Sequence, residues 1–510
     1  MLSLLAGRAA VASALLFCIW GQSSDTQEFA DVVVVGAGLS GLWAARELQK
    51  HGNLSVVVLE GRARVGGRTE SIAPGQADSF DLGAHWVGST QFHIQAVIQE
   101  LGKKTYHQFV NGTKVLELDD RKVRNYKTSL PWLPILDEIN FGLFWTQTDR
   151  KVRQTSRAAP YNSSRVRHYD GMTVESFCSA WPWSSRVKEL IAASMRTVVG
   201  KELSDVSALQ YLHYAACAGG LTPLLDTTPG GAQEFKIVGG TQSLSIELAR
   251  QLDVRLNTTV VGISDAGSPK GKALVRTLDG QTFAAKQVIV ATPPHLAGSI
   301  WYDPPLPAKK AHLLAHMTQG HLIKAIIIYA RAFWRDQGFS GEVVSSVFPL
   351  SVCYDDVTPD GGVAALVCFV GADSAKRLSP APKEERQAAV VDALVRYFGH
   401  DASKVLAYHE RDWGLEPFTG GCPTGTLNAG AITQWGDALR EPHGVVHFGG
   451  TETATWFYGF MNGAVQAGER CAIEVLEASG LTVPESMKSF VNLGGGQVAS
   501  KDVQLDMLWA

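Results

Sequence analysis

Near the N-terminus, glycines and charged residues fall at a spacing that can hold a dinucleotide. Gly36, Gly38 and Gly41 form a Gly-x-Gly-x-x-Gly run directly after the apolar stretch 31–35, and Glu60 stands 19 residues beyond Gly41. Gly36 permits a tight turn, Gly38 lets the backbone approach a pyrophosphate, and Gly41 lets helix and strand pack closely. The helix that follows would turn free N–H groups and the positive end of its dipole toward the phosphates. Glu60 is placed to accept hydrogen bonds from ribose hydroxyls. Arg62, Arg64, Gly66, Gly67 and Arg68 then complete Glu-x3-Arg-x-Gly-Gly-Arg, adding close backbone approach and bidentate positive charge for a pyrophosphate. A second cluster lies toward the C-terminus, where Glu452 precedes Gly459, Phe460 and Met461. Gly463 and Ala464 follow, small enough for a ring system to lie against a helix start whose N–H groups stabilise negative charge.

These residues need particular elements around them. The β-branched run 31–35 reads as a buried strand, 42–50 as a helix stopped by His51 and Gly52, and 55–59 as a second strand ending at Glu60, which together make a βαβ unit. A strand ending at Phe448, a turn carrying Glu452 and a helix from Met461 to Leu476 frame the second cluster. Between them lie strands at 322–329 and 364–370 and a helix at 383–398. The fold class is α/β, with a discontinuous nucleotide-binding domain over about 30–110, 232–310 and 405–480. Interleaved with it, 111–231 and 311–404 build an α+β substrate domain, and 481–510 form a C-terminal tail. The site is expected where the two domains meet.

Composition narrows the class. The chain has 510 residues, 45% hydrophobic and 19% charged, which excludes a disordered protein and a coiled coil. Its 51 glycines follow no Gly-X-Y period, so the excess serves turns and close approach to a ligand. A net charge of −3 with no polybasic run argues against nucleic acid as the main partner. Residues 1–24 read as an export signal: Arg8, an apolar run at 9–20, then small residues Gly21 and Ser23 at cleavage positions. Secretion is therefore expected, with membrane association through an uncleaved N-terminal segment or a mitochondrial presequence as alternatives. Asn53, Asn111, Asn162 and Asn257 head N-x-[ST] triplets, which suits a secreted glycoprotein. Cys18 leaves with the signal, no CxxC or Cys/His cluster exists, and no metal site or transmembrane anchor is expected.

The Gly-x-Gly-x-x-Gly run alone does not separate NAD from FAD. The extension from Glu60 to Arg68 resembles that of the flavin-containing amine oxidases, and the likeness recurs over about 30–480. It includes 81–90 with Gly83 and Ala84, 235–240, 257–263, 288–294, Trp413 ahead of Gly420, Gly421 and Cys422, and 447–464. The monoamine oxidase branch is most similar, with a secreted, fungal-type variant left open. The resemblance implies a Rossmann-type, glutathione-reductase-like domain binding FAD, with Val260 holding the adenine end and Cys422 bonded to the flavin 8α-methyl. It also implies a cage in which Phe460 and Trp413 face the substrate, with Trp86 adding aromatic surface. Three positions depart from the pattern: Pro423 stands where an aromatic is expected, Phe460 where a tyrosine is expected, and Ser299 where a lysine holds water near flavin N5. Lys324, in an apolar strand, reads as structural. The activity implied is oxidation of a primary or secondary amine to an imine, hydrolysed to a carbonyl, with O2 reduced to H2O2 and no side-chain acid or base. L-amino-acid or polyamine oxidation, oxidation of a biosynthetic intermediate, and a non-catalytic flavoprotein are the rivals. A homodimer remains open.

Overall fold

A computed structural model describes residues 28–128, 133–163, 165–180, 183–264 and 273–493. The expected export signal, and Ser164 of the third N-x-[ST] triplet, lie outside these residues.

The first strand, Glu28–Val35, is a continuous valine run because both faces of a parallel strand are covered. It pairs in parallel with Val56–Leu59 on one side and Thr282–Val290 on the other, with Val33 opposite Val57 and Val288. The sheet runs Asp253–Arg255, Val56–Leu59, Glu28–Val35, Thr282–Val290, Ala273–Thr277, Val260–Ser264, Trp301–Asp303, and Val446–Phe448 also pairs with Thr282–Val290. The intervening helix begins at Leu39, inside the glycine run, and ends at Gly52 on a left-handed Asn53. It packs against the last long helix, Met461–Ala478, through Leu42, Leu48, Val465 and Val475. Gly468 makes that crossing possible, since a Cβ there would sit 2.4 Å from the Ser40 carbonyl oxygen.

The second sheet runs Ala407–Asp412, Leu322–Tyr329, Ala364–Gly371, Val352–Asp355, Phe339–Ser345, Thr113–Glu117, Val123–Tyr126. The strand Ala407–Asp412 corrects one expected boundary. It lies antiparallel to Leu322–Tyr329, so the segment assigned to the nucleotide domain from 405 opens inside the other sheet. Cys353 and Cys368 face each other on neighbouring strands and form a disulfide. Helices Ile135–Arg153, Ser185–Val198 and Ala208–Cys217 bury Phe144, Val187 and Leu212 in a further core. The expected tail is not wholly free: the helix Glu485–Val491 buries Met487 and Phe490, and Phe490 stacks on Trp43 at 5.9 Å. Among the described residues, no helix is long and apolar enough to cross a membrane.

Candidate active site

Two cavities meet where the sheets approach. The outer one, of about 340 Å³, begins over the glycine run. Gly36 sits at φ +102°, and its N–H donates to the Leu59 carbonyl (2.8 Å), closing the turn. A Cβ on Gly41 would lie 2.0 Å from the Gly36 carbonyl oxygen, so helix and strand are in contact there. Gly38 differs from both. A Cβ on it would meet only the Gly67 Cα, at 4.0 Å, because the space it would fill belongs to the cleft.

The outer cleft is fitted for a dinucleotide by features that the protein leaves unmatched. Arg62 lines it, donates from Nε to Glu416 (3.2 Å), and keeps a buried Nη2 with no partner among the described residues. The helices starting at Leu39 and Met461 both open on the cleft, and neither has a side-chain cap on its free N–H groups. Glu60 is buried in its wall and accepts from the Ala37 and Arg62 N–H groups (2.8 and 3.0 Å), which fixes its carboxylate at the cleft. Gly66, Gly67, Ala84, Val260, Gly459 and Met461 are also in the lining.

Apart from Gly41, four expected cofactor residues lie outside the outer lining: Arg64, Glu452, Gly83 and Cys422, the last in the inner cavity. Arg64 does not reach the cleft. It donates to the Val65, Gly67 and Thr69 carbonyls and pairs with Glu70 (2.9 Å), so it braces the Gly-Gly loop. Glu452 lies behind the wall with its side chain fully covered, clamped by Arg68 in a bidentate pair (2.6 and 3.1 Å). Burial opposes its charge, and Arg68 together with hydrogen bonds from the Gly425 N–H and Gln319 outweighs that and holds its pKa below the ordinary carboxylate value. Gly83 belongs to the inner cavity, where its carbonyl accepts from Lys324.

The inner cavity, of about 160 Å³, shares Arg68, Ala84, Gly459, Phe460 and Met461 with the outer one. Phe460 and Trp413 both line it. Trp413 is 1% exposed and donates from its indole N–H to the Leu82 carbonyl (2.9 Å). Two aromatic pairs add to the lining: Tyr214 on Phe460 (5.9 Å, 21°) and Trp86 on Phe369 (5.7 Å, 30°). Cys422 and Pro423 complete it. Burial pushes the Cys422 thiol up to about 12, against the opposing pull of Arg68 and Lys324.

Lys324 overturns its structural reading. Ser299 stands at the exposed edge of the outer cleft, its Oγ donating to the Leu296 carbonyl (2.7 Å). Lys324 instead reaches the inner cavity, because its strand runs along the wall, and donates to the Gly83 carbonyl (2.9 Å). Burial lowers its pKa to about 8, with Asp81 and Asp356 working the other way. A lone lysine in an unbroken apolar strand was the available signal, since such a residue needs a buried partner or a cavity. Tyr214 was missed because its helix, Ala208–Cys217, is buried throughout and reads as core. No side chain in the inner lining is Asp or Glu among the described residues.

Residues 39–476 match the family described as flavin containing amine oxidoreductase. The chain is 37% identical over 466 residues to the flavin-containing amine oxidase B of Bos taurus, covering 89% of this chain and 87% of that protein. It is 35% identical over 447 residues to a probable flavin-containing monoamine oxidase A of Dictyostelium discoideum, covering 87% and 97%. Among solved structures, a putrescine oxidase bound to putrescine superposes with a TM-score of 0.83 at 29% identity, covering 88% of this chain and 100% of that one. Cyclohexylamine oxidase from Brevibacterium oxydans gives 0.82 at 29% identity, covering 88% and 99%. Cleft and relatives agree: the chain belongs to the flavin-containing amine oxidase family and is an FAD-dependent oxidoreductase acting on amines.

Proposed function

We propose that this FAD-dependent amine oxidase takes primary amines carrying an apolar or aromatic group. The observation that carries this reading is the inner lining: aromatic side chains, no carboxylate, and an arginine already spent. Arg68 gives both Nη groups to Glu452 and Nη1 also to the Pro423 carbonyl (2.9 Å), so it offers an α-carboxylate no free guanidinium. The second ammonium of a diamine would find no acidic partner there. Trp86, Tyr214, Phe369 and Phe460 supply the ring faces that suit an aromatic or alkyl tail.

FAD held in the outer cleft would supply the acceptor for a hydride from the carbon next to nitrogen, with O2 as the final electron acceptor and H2O2 the product. In the outer cleft, Gly36, Gly38, Gly66 and Gly67 would give backbone room to the dinucleotide, the Arg62 Nη2 would donate to its phosphates, and Glu60 would accept from ribose hydroxyls. Phe460 at the junction and Trp413 in the inner wall orient the amine and exclude water, which favours the neutral amine that reaction requires. Lys324 lines the inner cavity as the cation able to hold a water there. Cys422 is the residue for a thioether to the flavin, and acid precipitation tests it: colour that leaves with the acid excludes the bond. A peroxide assay tests the substrate class. Benzylamine and hexylamine should exceed putrescine, spermine and L-amino acids, and preference for a diamine or an amino acid would overturn it.

Export is part of the same reading. Asn53, Asn111, Asn162 and Asn257 are all exposed, and the Cys353–Cys368 disulfide suits an oxidising compartment. N-terminal sequencing of secreted protein should start near residue 25, and glycosidase treatment should lower its mass. An intact N-terminus in a membrane fraction would favour the anchored alternative. Light scattering decides between monomer and homodimer.

A further inference from the structure

Residues 415–419 run along the rim of the outer cleft. They start just after Trp413, in the inner wall, and end at the Gly420–Gly421 turn that leads to Cys422 and Pro423. Pro417, Phe418 and Thr419 line the cleft, while Leu415 is 66% exposed on the solvent side. The backbone of this segment is tied only to its own neighbourhood. The Glu416 N–H donates to the Trp413 carbonyl (3.3 Å), and the Thr419 and Gly420 N–H groups donate to the Glu416 carbonyl (3.2 and 2.8 Å). Among the described residues, no backbone hydrogen bond joins 415–419 to the strands and helices that build the rest of the cleft.

One side chain from the opposite wall holds the segment. The Arg62 Nε donates to Glu416 Oε1 (3.2 Å), and the guanidinium lies over the Phe418 ring at 5.6 Å. That ring also rests on Gly61, where a Cβ would sit 2.4 Å from Phe418 Cε1. Gly61, Arg62 and Phe418 are all in the cleft lining, so one ion pair and one ring contact bridge its two sides. Gly420 and Gly421, at φ +60° and +132°, give the far end of the segment a backbone freedom that other residues lack. The closure is not satisfied by protein groups alone. Thr419 is 2% exposed, and its Oγ1, like the Arg62 Nη2, is buried without a partner among the described residues.

We propose that 415–419 is a strap that lifts to admit and release FAD, and that Glu416 is the positioning residue that latches it through Arg62. This rests on the reading that the outer cleft holds the dinucleotide. No covalent bond changes in the step. The Arg62–Glu416 pair separates, the Phe418 ring leaves Gly61, and both contacts re-form once the cofactor has passed. Glu416 is absent from the cleft lining, so it acts on passage and not on the bound dinucleotide. The latch joins protein to protein and therefore resists entry and exit alike. Its removal speeds both and leaves their ratio, the Kd, nearly unchanged. A thioether at Cys422 would form after entry, and the latch then governs loading.

The test follows radiolabelled FAD in Cys422→Ala protein, in which flavin exchanges freely. Uptake by the apoprotein and release against excess unlabelled FAD are measured separately. Glu416→Ala should raise both rate constants at least about tenfold, the weight of one charge-assisted hydrogen bond, with the Kd within about threefold of the background. Glu416→Gln keeps an acceptor for the Arg62 Nε and should fall between the two. Leu415→Ala, on the solvent side of the strap, should exchange at the background rate. Unchanged rates in both Glu416 variants overturn the proposal. Faster release with slower uptake and a raised Kd also overturns it, because that marks a damaged cleft and not a freed strap. Gly38→Ala, measured alongside, tests the cleft reading by itself. A raised Kd there, with the Glu416 variants at the background rate, keeps FAD in the outer cleft and removes the latch. No change in any variant contradicts the cleft reading and the latch together.

Discussion

Replacing Gly38 with alanine separates cofactor binding from folding. Gly38 has φ −76° and ψ 173°, a conformation any L-residue adopts, so alanine brings no backbone strain. Its Cβ would meet only the Gly67 Cα, at 4.0 Å, so the apoprotein accommodates it. Restricting the unfolded chain should even stabilise the apoprotein by about 0.4–1 kcal/mol. With the dinucleotide bound, the same methyl occupies space that the phosphate backbone needs, and overpacking of that kind costs about 1–3 kcal/mol. Between about 1.4 and 3 kcal/mol, that is roughly a 10- to 150-fold rise in the FAD Kd. The assay is best run on Cys422→Ala protein, so that flavin exchanges freely. Thermal melting of the apoprotein and fluorescence titration with FAD then read the two effects. An unchanged Kd would refute the placement of the dinucleotide over Gly38. A lowered apoprotein Tm would refute the argument that the space is cleft and not protein.

Gly41→Ala should do the opposite and damage the fold itself, because its Cβ would fall 2.0 Å from the Gly36 carbonyl; circular dichroism and soluble yield report it. Glu452→Gln leaves the Arg68 guanidinium without a paired charge and should destabilise by about 3–5 kcal/mol in denaturant titration. Because the folded Glu452 carboxyl titrates below its ordinary value, its stabilisation is present above that value and is lost as pH falls through the folded one. The variant should therefore lose part of the wild-type decline in stability toward acid. Cys353 and Cys368 close a loop of 15 residues, and reducing that bond should cost about 3 kcal/mol, read as a shift between denaturation curves with and without reductant.

The parts legible in the sequence were those whose chemistry is local. Gly36, Gly38, Gly41 and Glu60 lie within one βαβ unit, and strand, turn and helix fix their relative positions within a short stretch of chain. The strand Leu322–Tyr329 and the helix Lys383–Phe398 follow from unbroken apolar or periodic runs, and both are found with those limits. What was hidden depends on distant partners. Arg64 is of the same type and neighbourhood as Arg62, yet Glu70 and three loop carbonyls claim it while Arg62 keeps an unpartnered nitrogen. Lys324 has the right chemistry in a strand that looks inert, and its acceptor in the cavity wall, the Gly83 carbonyl, lies far back in the chain. The segment from 405 was placed with the nucleotide domain because the partner of its strand Ala407–Asp412, Leu322–Tyr329, lies some eighty residues away.

The most direct measurement is the visible spectrum of the purified protein, recorded anaerobically as benzylamine is added and then in air. Oxidised-flavin absorbance should bleach with the amine, return in air, and yield one H2O2 per amine consumed, while putrescine and L-amino acids bleach it far more slowly. A colourless protein, or a flavin that amines leave oxidised while another substrate class reduces it, would contradict the assignment of these two cavities to FAD and an apolar amine.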